Sequence, residues 1–496
     1  NEMGRLAALS ALTALFFPAD VCAEEAFPVY TRQRVAAAIE LKVPGNPATV
    51  HPLRLDSLAD DYYDYALRAD GAIPVRVSQR VQRQGNVEQV VTDVTAAEDI
   101  WFRFELQLAT GSRYEDCQFY LPGFWYHRNE RSPLKAPSVR VSENWTVRED
   151  RLSTPLCGIY DERTHEGIRV VRISDFETDA LWTHREGEVL LGGPTSIGYT
   201  GFGNRDGRAV LEFGYPYRET PYSYIRKLTL APAVASFVHL PKGRTVSLVW
   251  EVSATAAADY SDFIVDAWRY SYDTYAPAPV DTLYSIARMK EVMSNYFIGS
   301  YVDDYPVKFM SSARMRVADC ANHPYAEVGF VGRVLLNAFN ALEYGEQTAR
   351  PELTELARSI FDSYLEHGIT RRGLFREVMV FDARGNREPR DLSSIRRQSE
   401  GAYAVLHYLQ YEKLRNRSHP GWEQVVRRML DRFVAMQNPD GSFPRKFRDD
   451  GSVVDPSGGS TPSATLPLVM GACYFGEPAY LECALRTGDY LEKELI

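Results

Sequence analysis

Near residue 280 the apolar pattern of this chain changes period, and few folds accommodate both halves. From about 28 to 255, apolar and polar residues alternate in short β-branched and aromatic runs, among them "RVQRQGNVEQVVTDVT", "DIWFRFELQLATG", "GIRVVRISDF" and "TVSLVWEVSA". Successive side chains on a strand face opposite ways, so these runs read as half-buried strands separated by Gly, Pro and Asn turns. Many short strands without helices between them predict an antiparallel β-sandwich over 24–256. "GFGNRDG" at 201–207 has the glycines of a dinucleotide loop, but it joins two strands and reads as a hairpin turn. "DYSDFIVDAWRYSYDTY" at 259–275 reads as a helix, and with Pro277 and Pro279 behind it forms a linker over 257–280.

Beyond the linker the period is that of helices, expected at 281–300, 324–345, 351–369, 392–416, 420–437, 461–476 and 478–495. The third and fifth carry one apolar stripe: Leu353, Leu356, Ile360, Phe361 and Tyr364 in one, Trp422, Val425, Val426, Met429 and Phe433 in the other. The second, fourth and sixth are apolar on every side. Helices buried all round that alternate with helices buried on one face predict an (α/α)6-type toroid over 281–496, inner helices enclosed by outer ones. The inner N-termini then converge on one mouth. "VVDPSGGSTPSATLPLVMGACYFGEP" at 453–478 fits this scheme, with Asp455 in a Gly/Ser loop, Thr461 as N-cap and Pro462 at the first helical position. A closed ring takes about a dozen helices. Seven are read here and "LEKELI" stops in mid-pattern, so the toroid is expected to be incomplete at the C-terminus, with an exposed apolar flank.

A chain of 496 residues exceeds one ordinary core. Its net charge of −10 argues against nucleic acid or an anionic membrane as partner. "LAALSALTALFF" behind Arg5, then "VCA" at 21–23, reads as a signal peptide over 1–23, which predicts a secreted or periplasmic protein. That run is too short for a membrane span. Asp20 leaves Cys22 without a lipobox, and the five later cysteines form no disulfide framework. The scattered histidines give no metal signature, and no cofactor is expected. The pattern leaves the oligomeric state open.

A sandwich, a helix and a toroid, with "QNPDGSFPRKF" at 437–447 as a mouth loop, resembles the six-hairpin glycosidase superfamily of glycoside hydrolases. The resemblance implies a carbohydrate substrate and carboxyl groups at the toroid's mouth, one an acid and one a base or nucleophile. The loops that feed the inner helices hold Asp303, Asp304, Asp319, Glu327, Glu377, Asp382, Glu400, Asp440, Asp449, Asp450 and Asp455. Asp440 reads as a turn residue, and Asp449 and Asp450 as a hairpin tip. Asp455, Glu400 and Asp304 are the expected catalytic residues, gathered in one cleft. Arg314, Arg316, Arg396, Arg397, Arg445 and Lys446 would share the rim of an acidic protein, which suggests a uronate. Arg396, Arg397 and Arg445 are expected to hold substrate, as are His323, Tyr325 and Phe443. "LPGFWYHRNE" at 121–130 is unusually aromatic, so Trp125 and Tyr126 are expected to cover the site. "NHPY" at 322–325 offers His323 and Tyr325, residue types that also suit β-elimination, so a polysaccharide lyase is the competing chemistry. A non-catalytic glycan-binding protein is the third reading.

Overall fold

The structure is a computed structural model that describes residues 29–31, 33–57, 64–130, 134–174, 186–226, 229–310, 325–330, 334–381 and 392–495. The segment read as a signal lies outside the described residues, as do His323, Arg314, Arg316, Asp319, Asn322 and Asp382. The chain divides into two compact units, Asn1–Pro279 and Val280–Ile496. The protein thus combines a β unit with an α unit.

In the first unit 16 strands form one continuous sheet. Thr49–Ser57 joins its halves, pairing with Val35–Lys42 on one side and Asp64–Arg68 on the other. Rings from the two halves meet: Trp250 lies 6.3 Å from Phe104 and 5.4 Å from Phe213, so the halves are the layers of a sandwich. The period of two is visible directly in Val87–Ala96, where every second residue is buried. Between Tyr199–Arg205 and Arg208–Tyr215 the chain turns at Asp206 and Gly207, with φ of 50° and 79°. Two positive φ values are those of a type I′ turn, so the glycine-rich stretch is a hairpin.

Helix α1 (Tyr260–Tyr275) starts at Asp259, whose side chain accepts from the Asp262 N–H, and ends at Ala276 in the left-handed region. It packs on the sheet: Tyr260, Phe263 and Ala267 are buried with Tyr120, Leu156, Tyr160 and Val171. Phe263 lies in a trough made by two glycines. A Cβ at Gly158 would come within 2.7 Å of its ring, and one at Gly167 within 2.3 Å. Gly167→Ala is therefore expected to push the ring out and destabilise the chain by about 1–3 kcal/mol. An unchanged denaturation midpoint would show that the trough tolerates a methyl group.

The second unit holds α2 (Ile286–Gly299), α3 (Val334–Gln347), α4 (Pro351–His367), α5 (Ile395–Lys413), α6 (Pro420–Met436), α7 (Pro462–Phe475) and α8 (Pro478–Leu495). Helices α3, α5 and α7 lie side by side, and α4, α6 and α8 pack against them. The outer stripes are in place: Leu353, Ile360, Phe361 and Tyr364 are buried on α4, and Trp422, Val425, Val426, Met429 and Phe433 on α6. Helix α5 is covered almost all round, by contrast with α7. Only Ala464, Pro467, Leu468 and Gly471 of α7 are buried, while Leu466 is 50% exposed. The described neighbours of α7 are α5, α6 and α8, and they cover one side of it.

Two local expectations are corrected. Thr461 occupies the N-cap position of α7 but its side chain makes no cap bond; it is helical in φ and ψ, and its hydroxyl accepts from the Phe443 N–H at 2.9 Å. The helix expected over 324–345 is described over Val334–Gln347, and Tyr325–Glu327 is instead a strand paired with Val378–Val380. No helix among the described residues is long and apolar enough to cross a membrane.

Candidate functional site

Short strands gather at the N-terminus of α5. In the pairing of Tyr325–Glu327 with Val378–Val380, Glu327 faces Val378, so Glu327 and Glu377 lie next to each other. The Val328 N–H donates to the Glu377 carbonyl at 3.0 Å. Helix α5 clasps this pair through Gln398, fully buried, which accepts from the Phe375 N–H and donates to the Phe375 carbonyl, both at 2.9 Å. The approach is close. A Cβ at Gly329 would sit 2.8 Å from the Arg397 backbone, and one at Gly401 2.6 Å from the Phe375 ring.

Two buried carboxyls meet one guanidinium here. Arg397 Nη2 lies 2.6 Å from Glu327 Oε1, and Nη1 lies 3.7 Å from Glu377 Oε2. The Arg397 side chain is 32% exposed and each carboxylate 4%. Tyr325 donates its hydroxyl to Glu327 at 3.4 Å. Gln398 donates to Glu377 at 3.2 Å, and the Ser394 N–H also donates to it. Burial pushes the Glu377 carboxyl up to about 7, against the opposing pull of Ser394, Gln398 and Arg397. Glu327 takes the short contact to the guanidinium, and Glu377, the farther carboxyl, keeps a proton close to neutrality. A carboxyl raised in this way suits general acid chemistry.

Around this pair lies a partly exposed rim. Arg396 Nε donates to Glu400 at 2.9 Å, the other Glu400 oxygen accepts from the Phe330 N–H, and the Arg396 guanidinium sits 4.7 Å from the Phe330 ring. Phe330 has φ of +85°, a conformation that costs a non-glycine residue about 1–3 kcal/mol and persists only where neighbours impose it. On the other side, Ser393–Ser394 pairs with Lys446–Phe447, which pairs with Val453–Asp455. Asp455 accepts from the Ser457 hydroxyl at 2.7 Å and its N–H at 3.1 Å, with Arg445 Nη1 at 3.4 Å. The Ser457 bonds, then Arg445, hold its carboxyl below the usual range.

Two of the three expected catalytic carboxylates engage separate partners, and the third is exposed in a turn. Glu400 is taken up by Arg396 and Phe330, Asp455 by Ser457 and Arg445, and Asp304 is exposed in the turn between Tyr301–Val302 and Phe309–Met310. Two expected aromatic contacts are corrected. Trp125 is fully buried in the sandwich core, 4.9 Å from Phe202, with its indole N–H donated to the His127 carbonyl. Phe443 is equally buried, against Phe433. Neither ring has a free face for a sugar. Tyr126 is 46% exposed. Asp440 closes its turn by accepting from Ser442, and Asp450 does the same with Ser452.

Glu327 and Glu377 stood among the loop carboxylates of the sequence without being singled out. A signal was available, since each interrupts an apolar run, "YAEVGF" and "LFREVMVF". A charge there is buried and must find a partner.

No family model and no curated protein matches the chain. Among solved structures it is similar to the unsaturated glucuronyl hydrolase of Bacillus sp. GL1, at 16% identity over 42% of this chain and 56% of that one, TM-score 0.32. A possible GH105 family member from Salmonella enterica serovar Paratyphi A matches at 14% identity over 47% and 64%, TM-score 0.33. A polysaccharide lyase matches at 10% identity over 92% and 75%, also with TM-score 0.33. The chain spans little more than half the length of the Bacillus hydrolase.

Proposed function

We propose that this protein is a glycoside hydrolase acting on a uronate-containing glycan, and that its helical unit is part of an (α/α)6 toroid. The observation that carries this reading is the pair of buried carboxyls on Arg397, with the Glu377 carboxyl at about 7. In this reading Glu377 donates the proton to the leaving oxygen, and Asp455, held ionised by Ser457 and Arg445, activates water. Glu377 is bonded to Ser394, and Ser394 lies two strands from Asp455 across Lys446. At about 4.8 Å per strand, that backbone gap is roughly 10 Å. In this reading the water lies between the two carboxyls, as in an inverting pair. Glu400, both oxygens engaged, positions Arg396 rather than reacting. Arg396 and Arg397 bind the substrate carboxylate, and a bidentate guanidinium contact favours a uronate over a neutral sugar. The apolar run at 6–17 and the small residues at 21–23 support an extracytoplasmic location.

The test is product analysis after incubation with uronate-containing oligosaccharides. Hydrolysis yields saturated ends with inverted anomeric configuration. A conjugated, ultraviolet-absorbing product would replace this reading with β-elimination, with Tyr325 as the proton-moving group. No product from a broad acidic panel would leave a binding protein.

A further inference from the structure

The sandwich unit carries a second feature that the chemistry above does not use. Trp268 and Tyr272 stand one turn apart on α1, each 55% exposed, with ring centroids 5.8 Å apart and planes within 9° of parallel. They border a cleft of about 310 Å³ that Ser153, Thr154, Ser271 and Tyr275 also line. That volume is at the small end of the roughly 300–1,000 Å³ range of ligand pockets. Ser153 is exposed at its edge, and the Thr154 hydroxyl has no hydrogen-bond partner among the described residues.

We propose that this cleft binds one or two residues of an uncharged sugar chain, at a site independent of the reaction proposed above. Two near-parallel, partly exposed rings offer apolar ring surface, and a pyranose presents an apolar C–H face with hydroxyls at its edge. Among the described residues no charged one lines the cleft, so none of them compensates the phosphate of a nucleotide or the carboxylate of a uronate. The ligand is thus neutral, unlike the one suited to the arginines at α5. The hydroxyl of the exposed Ser153 meets the sugar's edge and the rings meet its face. Binding here would hold a mixed polysaccharide by its neutral stretches.

The experiment is calorimetric titration of the whole chain with neutral hexasaccharides of glucose, xylose and mannose, repeated on Trp268→Ala and Tyr272→Phe. At least one sugar should bind. Losing the indole platform should weaken it about tenfold, in line with the value of an aromatic contact, and Tyr272→Phe should hold affinity within about twofold. No binding by any of the three, or equal affinity in Trp268→Ala, overturns the proposal. So does binding of a proline-rich peptide with no sugar binding, which would make the cleft a peptide site. Turnover of acidic oligosaccharides, measured on the same variants, reports on the hydrolase reading separately.

Discussion

Glu377→Gln should lower turnover of an acidic oligosaccharide by about 10²–10⁴-fold, the usual worth of a positioned proton donor, while the fold survives. A buried carboxyl raised to about 7 is neutral through most of the working range, and glutamine imitates that neutral form in shape and charge. The sign of the pH effect follows from the same shift. Because its folded value lies above the unfolded one, Glu377 contributes stability that is complete below about pH 4.3 and lost as pH rises through about 7. Glutamine cannot ionise, so the variant should unfold at a higher temperature than the parent at pH 8 and near the same temperature at pH 5. Activity of the parent should fall over the same rise in pH. Parent-like turnover in the variant removes Glu377 from the acid role. A lower melting temperature at pH 8 would mean that Arg397 holds it ionised.

Glu412→Gln should cost about 3 kcal/mol of stability at pH 7, because it strands charges that now neutralise one another. Glu412 is fully buried, accepting from Arg417 Nε at 2.9 Å and His419 Nε2 at 2.8 Å. Arg417 reaches on to Glu346 at 2.7 Å, where Arg358, Tyr411 and Arg415 also donate. The network ties α3, α4, α5 and the turn before α6. Burial pushes the Glu412 carboxyl up, but the bonds from Arg417 and His419 outweigh it and leave the group below its ordinary range. Glu346 is depressed likewise, by Tyr411 and its arginines against burial. A depressed carboxyl contributes stability above its unfolded value of about 4.3 and loses it as pH falls through the folded one. Urea unfolding of parent and variant should therefore differ most at neutral pH and converge in acid. An equal difference at pH 7 and pH 3 would assign the loss to packing alone.

What the sequence made legible was local. The change of period near 280, the stripes on α4 and α6 and the Asp-Gly turn at 206–207 are set by residues within a turn or two of each other. The strand at Tyr325–Glu327 was not, because three residues carry no period and its partner lies some fifty positions on. The site divides the same way. Arg396 and Glu400 share a helix face four residues apart, a spacing readable by eye. The burial of Glu377, which sets its acidity, exists only once that distant strand is paired and α5 is laid on it. Trp125 shows the converse: an aromatic cluster reads alike whether it is headed for solvent or core, and the sandwich takes this one inside.

The side chain of Gln398 amounts to a borrowed peptide group. Its carbonyl takes the N–H of Phe375 and one of its two N–H donors goes to the Phe375 carbonyl, as a neighbouring strand would bond them, while the amide also donates to Glu377. The segment ending in Glu377 is thereby stitched to a helix in the manner of a sheet, two residues from the carboxyl whose proton matters. Any sliding of α5 must carry Arg397, Gln398 and Glu377 as one body. The acidity of that carboxyl is then insulated from breathing of the outer helices, and a change in it requires the stitch itself to break.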